Sequence, residues 1–150
     1  MAVVLAIPAG ALAAPAALGD GSLSLNAASG TIFVQGKGVI YGHFDSGTLM
    51  VLDYRPDDGV STPSVSSGTG RLPKGTGAFA GTDVRFLLPS GRYTIELIAV
   101  GIDANAVGKG SIVATGLGSA DDGSYTVNGG KPQPLGKVPT NDSFGTKATS

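Results

Sequence analysis

Glycine interrupts this chain every few residues. There are 25 glycines and 9 prolines in 150 residues, and Glu96 is the single glutamate. Glycine and proline are the poorest helix formers and glutamate is among the favoured ones, so a helix has no run along which to propagate. The runs left between glycines are short and rich in Val, Ile, Leu, Thr and Tyr, residues that fit a pleated, half-buried surface. Strands are expected at Ser22–Asn26, Thr31–Gln35, Val39–Phe44, Thr48–Tyr54, Asp83–Leu88, Tyr93–Val100, Ser111–Thr115 and Ser124–Val127. Such a series predicts an all-β fold, an antiparallel β-sandwich or small β-barrel of roughly seven to nine strands.

Partner choice is tested by asking which register keeps apolar faces together. Pairing Leu88 with Tyr93 sets Phe86 against Ile95 and Val84 against Leu97, with Arg85 against Glu96 on the other face. Pairing Asn26 with Thr31 sets Leu25 against Ile32 and Leu23 against Val34. Two local hairpins with four-residue loops are therefore expected. Between the strands, Pro56–Gly81 collects Ser, Gly and Pro and reads as a long loop, functional or mobile. A short echo links Gly36-Lys37-Gly38 with Gly108-Lys109-Gly110, each followed by an apolar strand, as in two pseudo-equivalent halves of a sandwich or barrel.

Hydrophobic residues at 41% and charged ones at 14% permit one buried core, and the length suits one domain. The segment before Asp20 has no charge, an apolar run from Ala2 to Ala13, and A-x-A patterns at Ala11-Leu12-Ala13 and Ala14-Pro15-Ala16. It reads as a secretory leader without a basic start, too short and too broken by Pro8 and Gly10 for a membrane span. The expected organisation is a leader over 1–19, a Gly-rich β domain over 20–130, and a flexible tail or extra edge strand over 131–150. The membrane is then touched only through an uncleaved leader. The expected location is secreted or cell envelope.

Ten basic against eleven acidic residues give a net charge of −1, and the basic residues are spread singly from Lys37 to Lys147. Nucleic acid is not expected as a partner, since phosphate binding needs a concentrated basic surface. Absence of cysteine removes disulfides, thiolate metal sites and thiol nucleophiles.

The run GTIFVQGKGVIYGHFDSGTLMVLDYRPDDG, followed by GTDVRFLLPSGRYTIELIAVGIDANAVGKGSIVATG and DDGSYTVNGG, resembles small exported proteins of actinobacteria with no known activity. The resemblance spans about Gly21 to Gly130 and implies a secreted β domain. It brings no cofactor or site residue with it.

Candidate chemistry is sparse. His43 is the only histidine, and in Gly42-His43-Phe44-Asp45-Ser46-Gly47 it sits too close in sequence to Asp45 and Ser46 for a nucleophile–base–acid relay. Asp57-Asp58-Gly59 and Asp121-Asp122-Gly123 read as turns, where Asp bonds back to the backbone and Gly takes positive φ. The stretch Asp103–Gly108 begins like a calcium loop but lacks the closing glutamate. No metal or cofactor is expected. Tyr41 and His43 share one strand face and Tyr54 ends the next strand, so these three are the candidate binding residues of a shallow ligand face. The expected function is an exported, non-enzymatic structural or binding domain at the cell envelope or in the medium. Its partner is a carbohydrate or a protein, or a second copy. The alternatives are a secreted hydrolase or lyase using Asp and Tyr groups, and a surface subunit that self-assembles through sheet edges.

Overall fold

The computed structural model describes residues 19–66 and 77–145. Apart from Gly19, the expected leader lies outside the described residues. Every regular element described is a strand: β1 (Gly21–Pro56), β2 (Ser64–Ser66), β3 (Gly77–Gly116), β4 (Ser124–Val127), β5 (Gln133–Pro134) and β6 (Thr140–Phe144). All pairings are antiparallel. The six strands form one sheet in the order β2-β3-β1-β4-β5, with β6 on β3, and the sheet does not close.

The chain is all-β, as the glycine spacing and β-branched runs require. The segments expected as separate strands run together, however. β1 takes in the four from Ser22 to Tyr54 and β3 the three from Asp83 to Thr115. Glycine therefore marks changes of direction here more often than ends of strands.

Both expected hairpins are overturned. Leu88 faces Ile40, and Tyr93 faces Gly36 and Tyr54; Leu25 faces Ala104 and Tyr125, and Ile32 faces Leu97 and Ala114. Arg85 lies opposite His43 and Ser66, and Glu96 opposite Phe33 and Met50, so these two charges do not pair. The inward residues are nonetheless those expected: Leu23, Leu25, Ile32, Val34, Val84, Phe86, Leu88, Tyr93, Ile95 and Leu97 are all buried. Alternation along a strand decides which side a residue faces, and it says nothing about which strand lies alongside.

β1 and β3 pair with each other along both edges. Gln35 meets Thr94 on one side and Ser111 on the other, and Val34 likewise meets Ile95 and Ile112. A two-stranded ribbon can do this only by rolling on itself, and tight bends are what rolling needs. Gly38 (φ 138°) and Gly108 (φ 141°) are opposite one another at such a bend. A Cβ on Gly38 would lie 2.0 Å from the Val107 carbonyl oxygen, and one on Gly108 would lie 2.0 Å from that of Lys37. Only glycine allows both the dihedral and the approach.

Rolling gathers the inward side chains into one core, in which Phe44, Ile32, Ile40, Leu49, Leu88, Ile95 and Leu97 are fully buried. Each such side chain contributes about 1.5–3 kcal/mol of transfer free energy. The long connection after β1 is pinned where β2 pairs with Arg85–Leu87. β6 adds an edge to β3, matching Phe144 with Gly110 and Thr140 with Ala114.

Candidate functional site

Tyr41 and His43 lie on the same, outer side of β1. Tyr41 is half-buried opposite Leu87 and Asn105, and His43 lies opposite Arg85 and Asp103. The His43 Nε2 is 2.8 Å from Asp83 Oδ1 and 4.0 Å from Asp45 Oδ1. Asp83 itself has φ 53°, so the pair stands at an irregular point of β3. Among the described residues no serine or threonine bonds to this ring, so the second half of a nucleophilic relay is not assembled here.

Tyr54 does not join them. It is buried, and its hydroxyl donates to the Pro89 carbonyl at 2.8 Å. Burial, followed by the charges of Asp58 and Asp57, pushes its phenol up to about 12.

The Asp-Gly sites are turns. Asp58 Oδ1 accepts the Val60 and Ser61 amides and its Oδ2 accepts the Ser61 hydroxyl, contacts that hold the carboxyl at about 2, the hydroxyl contributing most. Asp121 Oδ1 accepts the Gly123 amide, and the buried Asp122 accepts those of Gly118 and Ser119. Asp103 Oδ1 accepts the Ala27 amide from the neighbouring segment. Most of these contacts are to backbone amides, Asp122 Oδ1 being left buried without a partner, and among the described residues no three His, Asp or Glu side chains converge as metal ligands.

Among the described residues, four basic side chains that stand far apart in sequence come together. Lys37 is opposite Arg92 on one edge and Lys109 on the other, and Arg92 is opposite Arg55 on its second edge. The row therefore reads Arg55, Arg92, Lys37, Lys109, all exposed. This corrects the expectation that the basic residues stand singly. Directly opposite residues of antiparallel strands project to the same side, and strands lie about 4.8 Å apart, so the four cations span about 14 Å. Like charges placed opposite one another are destabilising.

The two ends of the row have carboxylates: Asp53 Oδ1 is 3.7 Å from Arg55 Nε, and Asp20 Oδ1 is 3.8 Å from Lys109 Nζ. The two central members have none within 4.0 Å among the described residues. They flank an open concavity of about 660 Å³ that also takes in Lys109 and the neutral donors Gln35, Ser111 and Ser143. Between the outward side chains, the backbone of Gly36 and Gly110, which lie opposite one another, forms part of its lining. A Cβ on Gly110 would lie 2.3 Å from the Gln35 carbonyl and 2.8 Å from the Phe144 ring.

Two residues along the strands from the cations runs a parallel row, Asp53, Thr94, Gln35, Ser111 and Ser143, neutral beyond Asp53. An arginine fork, ammonium groups and neutral donors are the groups with which proteins recognise anions. One signal in the sequence pointed here, the repeated Gly-Lys-Gly. In the structure the two tripeptides face each other, Gly36 on Gly110, Lys37 on Lys109 and Gly38 on Gly108.

No protein-family model matches the chain, and no curated protein or solved structure does.

Proposed function

We propose that this chain is an exported, non-enzymatic binding domain, acting at the cell envelope or in the medium, that holds an anionic ligand on the Arg55–Arg92–Lys37–Lys109 row. The observation that carries the reading is the pairing of Lys37 with both Arg92 and Lys109, with no carboxylate within 4.0 Å of the two central cations among the described residues. A sheet that keeps like charges opposite one another gives up stability, and a counter-charged ligand restores it. Export rests on the apolar, small-residue segment before Asp20.

The same proposal takes the rolled β1–β3 ribbon as a two-layered sandwich of jelly-roll order. One layer holds segments 22–28, 100–107, 39–46 and 82–90. The other holds 109–115, 31–37, 92–98, 48–56 and 77–80. The basic row then lies on the outside of the second layer, where a ligand reaches it without entering the core.

Titration of inorganic phosphate into the isotope-labelled protein tests the site. Amide signals of Gln35–Lys37, Arg92 and Lys109–Ser111 should shift together, and the shifts should vanish in Lys37→Ala/Arg92→Ala. Shifts scattered over the surface, or retained in the double variant, would remove the row as the site. Export is tested by the mass of the protein recovered from the medium, with a mature start between Ala14 and Asp20 expected and an intact leader contradicting it.

A further inference from the structure

We infer that the ligand of the basic row is a linear polyanion lying across the strands, a polysaccharide bearing sulfate or phosphate esters. This rests on the anion-binding reading and extends it.

The row outruns the hollow. Lys37, Arg92 and Lys109 line it, whereas Arg55 stands one strand further on, beyond its lining residues. A single small anion would be served by the central cations and leaves Arg55 unexplained. Four cations about one strand apart suit a chain whose charges recur at a few ångströms.

The ends and the middle differ as a polymer site requires. Lys109 and Arg55 have only loose ion pairs at 3.8 and 3.7 Å, which an incoming ester group can replace, and the central pair has none. The row of Thr94, Gln35, Ser111 and Ser143 runs alongside and offers hydroxyls and an amide to ring and bridging oxygens. Binding of single-stranded nucleic acid would call for aromatic platforms for the bases. The aromatics lining the hollow or next to it in the strands, Phe144 and Tyr93, are 1% and 2% exposed, and the half-buried Phe33 stands two residues beyond Gln35 beside Glu96, a carboxylate that repels a phosphate backbone.

The test uses dextran sulfate, dextran phosphate, uncharged dextran, inorganic phosphate and single-stranded DNA with the described domain in its full chain. Either charged dextran should bind at least about ten-fold more tightly than inorganic phosphate, with uncharged dextran inert. The better of the two names the ester. Arg55→Ala should weaken the charged dextran several-fold, far more than it weakens inorganic phosphate, and lower the dextran's salt slope by about one. Phosphate binding without this gain, or an Arg55→Ala variant that binds charged dextran as well as the parent, would overturn the polymer while leaving the anion site standing. Loss of phosphate binding altogether would overturn both. DNA bound more tightly than charged dextran would overturn the choice of polysaccharide.

Discussion

At the residue scale, the clearest liability is the Tyr93 hydroxyl, which is buried without a hydrogen-bond partner. Burial also pushes its phenol well above the usual tyrosine range. A buried hydroxyl stripped of water and left unpaired opposes folding, so removing it helps. Tyr93→Phe is expected to raise stability by about 1 kcal/mol in urea unfolding, with the ring still filling the core beneath Gly36. A loss of similar size would mean that the hydroxyl has a partner. Tyr125 is the contrast, its hydroxyl donating to Asp142 Oδ2 at 2.8 Å. Side-chain roles at this scale were partly legible beforehand. The Asp-Gly pairs are the turns their chemistry implies, since an Asp carboxylate finds its own backbone within two or three residues. Tyr54 was not legible, because its inward direction depends on the bulge beside Leu52, where the register slips between Val51 and Asp53.

At the scale of elements, the chain's alternation located its strands and left their partners open. With many short runs of similar composition, the nearest neighbour is the simplest partner to assume. That assumption fails because glycine bends let the ribbon continue past each corner. The prediction at this scale concerns those bends. Gly38→Ala places a Cβ 2.0 Å from the Val107 carbonyl at φ 138° and is expected to cost about 4 kcal/mol or more, or to prevent folding. Gly136 has open space around it and no positive φ, so Gly136→Ala is expected to be neutral or to stabilise by about 0.5 kcal/mol. Thermal unfolding of the two variants checks both, and similar melting points would remove the corner role of Gly38. The same ignorance of partners hid the binding surface. A row that joins residues 55, 92, 37 and 109 exists only once both registers are known, and the facing Gly-Lys-Gly tripeptides were its one trace in the sequence.

At the scale of the whole molecule, three tyrosines tie stability to alkaline pH. Burial raises the phenols of Tyr54, Tyr93 and Tyr125, with Asp57 and Asp58 adding to Tyr54 and Asp142 to Tyr125. Their folded values exceed the ordinary value of 10.0. The folded state therefore holds these protons more tightly than the unfolded chain does. Their contribution is fully present below pH 10 and is lost as pH rises through about 12, the value reached by Tyr54. Phenolate absorbance from these residues should rise together with loss of the β-sheet circular-dichroism signal. Ionisation of all three near pH 10 in an intact fold would contradict this.

The row of cations acts at the same scale, since it trades stability for binding. Each opposed like-charged pair costs roughly 0.2–1 kcal/mol, and a bound anion reverses the loss by mass action. Melting the parent and Lys37→Gln/Arg92→Gln in sulfate and in chloride of equal ionic strength tests this most directly. The double variant should melt higher than the parent in chloride, and sulfate should raise the melting point of the parent much more than that of the variant. A variant that is no more stable in chloride and gains as much from sulfate would contradict the row as a binding site.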